Sequence, residues 1–251
     1  MATTSSVNTA KNGRYVGPGD PIDSLVWGDH APTNSPFYYM PVIASSLDFF
    51  LWNLNNTGYV AAQWTETLVD VGSGTTAFAP AAGGLVLTGA GNEDDGGQTQ
   101  MLRAFTPAAG KIALFYCRIQ FSEATQYDWR IGWSNTDTAV IASAPTHGAT
   151  FHKEDNDTIV NGATNDGGTE SDTANLITSF AAATDYDFGI VINGVTDVKF
   201  CYKLASAAEW TMVTKTTDLP TDPLRATFAG LNGEATADTF QVSRAIVAWM
   251  L

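Results

Sequence analysis

The chain has 251 residues and carries 12 lysines and arginines against 26 aspartates and glutamates, a formal net charge of −14. Charged residues are 15% and hydrophobic ones 44%, against about 25% charged in an ordinary globular domain, so the chain can bury enough apolar surface to offset its ordering entropy. The acidity, with no cluster of Lys or Arg to override it, excludes a nucleic-acid-binding face and disfavours anionic membranes, and no apolar run reaches the ~18 residues of a membrane span.

Residues 1–17 contain no apolar stretch of the kind a secretory signal needs, so synthesis and folding in the cytoplasm are expected. The length allows one large domain or two small ones and a core that needs no staples. Residues 1–60 read as an arm. Pro18, Pro21, Pro32, Pro36 and Pro41 crowd it, and proline removes a backbone donor and fixes φ, which opposes regular structure. The arm is nonetheless rich in aromatic side chains: Trp27, Phe37, Tyr38, Tyr39, Phe49, Phe50 and Trp52. Such residues need a surface to cover, which is either the main domain or a neighbouring subunit; as interface anchors they would dominate the binding energy. A short helix is predicted near 48–54.

From residue 61 to 251 the pattern is all-β. Strands are predicted at 84–87, 98–105, 111–121, 127–133, 149–151, 187–192, 198–204, 210–215, 225–231 and 239–249, with a second short helix near 172–180. Several are short and alternating, and they are separated by turn signals at 108–110, 165–168, 192–195 and 231–233. In the last strand Phe240, Val242, Ile246, Ala248 and Met250 alternate with Gln241, Ser243, Ala245, Val247 and Trp249, so it is apolar on both faces and should be covered on both. The two cysteines are too few for a disulfide framework. Cys117 falls on the apolar face of its strand and Cys201 on the polar face of its own, beside Lys199 and Lys203, so reduced, separate thiols are expected.

The order of these segments resembles the concanavalin A-like lectin/glucanase jelly rolls. Residues 83–100 look like an early hairpin of that fold, with an acidic loop between two strands. Lys111 to Phe121 and Tyr127 to Asp137 follow in similar order, residues 187–202 resemble a late hairpin, and 226–230 with 240–247 resemble the closing pair. The resemblance implies a two-sheet antiparallel sandwich over 61–251 with an extended N-terminal arm. Within the architecture the chain looks most like virion domains of tailed bacteriophages, which implies a non-enzymatic capsid decoration or cement protein. Its partners would be the major capsid protein or other virion subunits, and it would form a homo-oligomer, a dimer or trimer, with the closed symmetry usual for such assemblies. The rival implication is a carbohydrate-binding, lectin-like module of a tail or adhesion protein, with surface glycans as partners.

Glycoside hydrolysis needs two carboxyls flanking the scissile bond, and jelly-roll glucanases supply them as Glu-x-Asp-x-Glu on one strand. That motif is absent. The pairs Glu93/Asp95, Asp155/Asp157 and Asp185/Asp187 fall in loops or at a strand start, so no catalytic residue is expected. Glu93, Asp94 and Asp95, or Glu154, Asp155 and Asp157, offer hard oxygens to Ca²⁺ without matching a calcium loop; solvated acidic turns are the plainer reading, and no cofactor is expected. His30, His147 and His152 have no acid or cysteine at ligand-like spacing, so no metal centre is expected. There is no nucleophile elbow and no phosphate loop. Tyr127, Trp129, Ile131 and Trp133 share one strand face opposite Asp128, Arg130, Gly132 and Ser134. That aromatic row is either core or, if the face is wet, a sugar platform built on Trp129 and Trp133.

Overall fold

The computed structural model describes residues 33–40, 43, 49–54, 59–72, 74–81, 84–135, 138–168 and 170–251. Its strands in chain order are β1 (Phe49–Asn53), β2 (Trp64–Val69), β3 (Ala77–Ala81), β4 (Gly84–Thr88), β5 (Gly96–Met101), β6 (Ile112–Phe121), β7 (Tyr127–Ser134) and β8 (His147–Lys153). They continue with β9 (Val160–Asp166), β10 (Glu170–Ile177), β11 (Tyr186–Asn193), β12 (Asp197–Leu204), β13 (Thr211–Lys215), β14 (Arg225–Asn232) and β15 (Thr239–Met250). Among the described residues one sheet, A, runs β13-β12-β11-β6-β15-β4-β3, with β1 also paired to β15; the other, B, runs β10-β9-β8-β7-β14-β5-β2. Every pairing is antiparallel.

The core lies between the sheets, and strand alternation fills it. Ala113, Phe115, Cys117, Ile119 and Phe121 of β6 point inward, as do Tyr127, Trp129, Ile131 and Trp133 of β7, and Phe188, Ile190 and Ile192 of β11. The tight β11–β12 hairpin uses Gly194 at φ 57°, and the Thr196 amide donates to the Asn193 carbonyl at 3.0 Å.

β15 departs from simple alternation. A bulge between Val242 and Arg244 shifts its register against β6, so the residues facing the core are Phe240 and Val242 before it but Ala245, Val247 and Trp249 after it. An extra residue on one strand reverses the faces beyond it, which is why the inward set differs from the unbroken alternation predicted. Both faces of β15 are covered, as expected: Ala248 and Met250 pack on the outer face of sheet A under the N-terminal segment.

That segment folds back on its own chain. Pro36–Tyr39 forms a 3-10 turn whose N-cap, Ser35, accepts the Phe37 amide at its hydroxyl. Phe37 packs on Tyr116, 4.7 Å between ring centroids, and edge-on to Trp210 at 6.2 Å. Met40 and Ile43 are buried with Leu114 and Val191. Gly189 supplies the room: a Cβ there would come 2.5 Å from Pro36 Cγ. Tyr39 lies beneath the Lys199 ammonium, Phe50 stacks on Trp249 at 4.0 Å, and Tyr38 stays 44% exposed. The backbones of Phe49 and Trp52 lie in β1, paired to β15; their side chains, and Trp27, fall outside the described residues.

Three expectations are corrected. The helix predicted near 48–54 is strand β1, because an open edge of β15 is available to pair with it. The helix predicted near 172–180 is mostly edge strand β10, whose alternation is broken by a register shift between Thr173 and Ile177, with Asn175 at φ 59°. Cys201 is buried rather than on a wet face, because Phe37 and Trp210 roof the outer face of sheet A over it. Cys117 faces the opposite way, into the core, so both thiols are free, and burial pushes Cys201 up to about 12.

Candidate functional site

The β7 alternation decides which face of sheet B carries chemistry. Trp129 and Trp133 are 1% and 0% exposed and pack in the core, against Phe121, Phe180 and Phe188 for Trp129 and against Phe105, Phe115 and Trp249 for Trp133. A sugar platform on these two rings is therefore excluded: the aromatic row closes the sandwich, and its opposite face turns outward.

Strand register assembles that outer face. Residues directly opposite in antiparallel strands share a face, so one row runs Thr67, Gln98, Ala229, Arg130, His152, Asn161 from β2 to β9. The adjacent row runs Thr65, Gln100, Thr227, Gly132, Thr150, Ala163, Asp172. Gln100 Nε2 donates to Ser134 Oγ at 2.7 Å and to Thr227 Oγ1 at 3.1 Å. A loop, 138–143, crosses the face: the Val140 amide donates to Gln98 Oε1 at 2.9 Å, and Ile141 borders the hollows on either side. The larger hollow, about 320 Å³, is lined by Asp128, Arg130, Ile141, His152, Lys153, Glu154 and Asp155.

The electrostatics of this hollow are unusual. Arg130 forks onto the Glu170 carboxylate and donates to Thr150 Oγ1 at 3.0 Å, yet its Nε, which is buried, has no partner among the described residues. His152 is 3% exposed and its buried Nδ1 is also without a partner among them. Burial and the neighbouring Arg130 charge lower the imidazole to about 4, so the ring is neutral at neutral pH. Burial, reinforced by the charges of Asp155 and Glu154, raises the Asp128 carboxyl above its ordinary range. Lys153 is a built-in cation at the floor of the adjoining loops. Its ammonium donates to the carbonyls of Thr125, Glu154 and Asp157 at 2.8–2.9 Å.

Of the acids singled out in the sequence, Asp95, Asp155, Asp157 and Asp187 have structural duties. Asp95 is fully buried and accepts from the Val71 amide, the Asn92 amide and Asn92 Nδ2. Asp155 and Asp157 accept from the backbone of their own turn. Asp187 lies on the other sheet, where it holds Tyr116 Oη and Arg118. The pair that the sequence reading passed over is Glu170 and Asp172, alternate residues of β10. With His152 they form a group whose ligand atoms lie within 4.8 Å of one another. His152 Nε2 is 3.7 Å from Asp172 Oδ1 and 4.0 Å from Glu170 Oε1. The sequence signal is the Glu-x-Asp spacing itself, of which the helix predicted near 172–180 takes in only Asp172. His147 stands apart, between Asp166 and Asp222 at 3.1 and 3.3 Å.

No protein-family model matches the chain, and no curated protein sequence matches it. Solved structures do. The carbohydrate recognition domain of Emp47p superposes with a TM-score of 0.55 at 13% identity, over 78% of this chain and 93% of that one. The Bacillus licheniformis β-glucanase gives 0.55 at 10% identity, over 80% and 98%. The CBM2 module of the evolved Dit protein of Lactobacillus casei BL23 phage J-1 gives 0.51 at 12%, over 79% and 94%. At these identities the likeness establishes architecture: the chain has the concanavalin A-like lectin/glucanase jelly-roll fold.

Proposed function

We propose that this chain is a non-catalytic, lectin-like carbohydrate-binding module of a phage virion protein, with its glycan seated in the hollow over Asp128, Arg130 and His152. One observation carries the site. Two side chains more than nine-tenths buried, Arg130 and His152, line a hollow of about 320 Å³, and each holds a buried polar atom without a partner among the described residues. Buried polar groups are almost always paired, and sugar hydroxyls both donate and accept, so a monosaccharide in the hollow would offer partners to the polar side chains that line it. The volume is at the lower end of the range for small-ligand sites, about 300–1,000 Å³. Asp128, Glu154 and Asp155 outweigh Arg130 and Lys153, and the latter is already engaged by carbonyls. The hollow therefore favours neutral or amino sugars over uronic or sialic acids. A virion location, with synthesis in the host cytoplasm, rests on the sequence resemblance and is in keeping with the phage J-1 neighbour.

The test is a glycan array followed by titration calorimetry on the full chain. Neutral or amino sugars should bind, and Asp128→Asn should weaken binding at least ~10-fold, about 1.4 kcal/mol, with an unchanged melting temperature. A flat array, or binding indifferent to Asp128→Asn, overturns the site. Release of reducing sugar from any bound glycan overturns the non-catalytic reading.

A capsid decoration or cement role is the second reading, with capsid subunits as partners and a dimer or trimer as the working unit. It is favoured by Tyr38, which is 44% exposed on the aromatic turn; Phe37 and Phe50 are engaged within the chain. Light scattering after size exclusion checks it. A monomer that does not bind capsids removes it.

A further inference from the structure

The group on β8 and β10 carries a binding function of its own, which borders the glycan hollow and shares His152 with it. His152 makes no hydrogen bond at either ring nitrogen among the described residues: Nδ1 is buried without a partner, and Nε2 faces two carboxylates that it does not reach. A histidine–carboxylate hydrogen bond would close to about 2.8 Å. The observed 3.7 and 4.0 Å, within a group whose ligand atoms all lie within 4.8 Å of one another, are too long for that bond and leave room for an ion, around which the ligands would draw in to roughly 3.4 Å.

We propose that His152 Nε2 and the carboxylates of Glu170 and Asp172 form a binding site for a divalent transition ion of the zinc class. The donor set selects the ion. One imidazole nitrogen and two carboxylates suit Zn²⁺, whereas Ca²⁺ and Mg²⁺ require about six or more oxygens. The charges are suited to a dication, since two carboxylates outweigh the one guanidinium, Arg130, that reaches the group. Arg130, which grips Glu170, acts as the outer partner that orients a ligating carboxylate, and Glu170 spends its charge on both. Lys215 and Glu154 act on Asp172 from further away and oppose one another. The strand register makes the site specific: Asp172 aligns with Ala163 of β9, which aligns with Thr150, two residues before His152. Three protein ligands leave a coordination position open, and Asp172, with a side chain 47% exposed, marks its solvent side.

The experiment is titration calorimetry of ZnCl₂ into the full chain in metal-free buffer, with no glycan present, so it stands or falls apart from the carbohydrate reading. One saturable equivalent is expected. His152→Ala should weaken it at least tenfold, His147→Ala should leave it unchanged, and CaCl₂ should give no saturable heat. Because His152 is buried, Asp172→Asn is the companion variant: its half-exposed side chain can change without unfolding, and it too should weaken Zn²⁺ at least tenfold at an unaltered melting temperature. Absence of saturable Zn²⁺ binding, or binding that survives both His152→Ala and Asp172→Asn, overturns the site.

Discussion

Phe37→Ala tests whether the N-terminal segment is part of the fold. Full truncation of a buried phenylalanine costs about 3–5 kcal/mol. Phe37 is partly exposed, but it packs on Tyr116 and Trp210 and contributes to two apolar clusters at once. About 2 kcal/mol is therefore expected, which lowers the melting temperature by roughly 5 °C for a chain of this size. The sharper readout is chemical. Cys201 is fully buried within the cluster that Phe37 roofs, whereas Cys117 is sealed between the sheets. Losing about 2 kcal/mol of cover should raise the population of open roof about 30-fold. A thiol reagent should then label one cysteine about that much faster, with the accelerated reaction absent from a Phe37→Ala, Cys201→Ser double variant. Unchanged melting together with unchanged labelling would refute the claim that the segment covers sheet A.

Gly189→Val should reach the same state by crowding rather than truncation, since even a Cβ there meets Pro36 at 2.5 Å; exposure of Cys201 by labelling is the check. Trp133→Ala, which removes a ring at 0% exposure, should cost about 3–5 kcal/mol in a denaturant melt while leaving glycan affinity of the folded fraction unaltered. Asp95→Asn should flatten the acid limb of stability. The amide of Val71, followed by Asn92, holds this carboxyl below its ordinary range, so its contribution is full above the unfolded value of about 3.9 and is lost as pH falls through the folded one; denaturant titrations from pH 6 to pH 2 measure it. Lys153→Met should destabilise the chain and increase proteolysis within residues 123–126 and 154–158, because the carbonyls of Thr125, Glu154 and Asp157 lose their shared donor.

The sandwich was legible wherever alternation and turn chemistry agreed. β6 and β7 are read directly from Ala113, Phe115, Cys117 and from Trp129, Ile131, Trp133, and the β11–β12 hairpin from Asn193-Gly194. Edge strands were harder. β10 is half-exposed and irregular at Asn175, so it shows no period, and β1 exists only because β15 offers it an edge. The burial of Cys201 could not be read from its own strand, since the cover comes from Phe37, far away in the chain. The site failed for the same reason. His152 meets Glu170 and Asp172 only through the register of β8, β9 and β10, and local spacing holds no record of a meeting across a strand.

The placement of β15 bears on how the molecule comes into being. It follows every other strand in this chain, yet it sits inside sheet A, against β6 along nearly its whole length and against β4 and then β1 on its other side. During synthesis β6 must wait with a bare apolar edge, and β1 and β4 have no common neighbour, until residues 239–250 leave the ribosome. Such long-range closure is slow and exposes unpaired edges to other chains. Productive assembly of this sheet thus waits on residues 239–250, and nascent chains stalled before residue 239 should be markedly prone to aggregate.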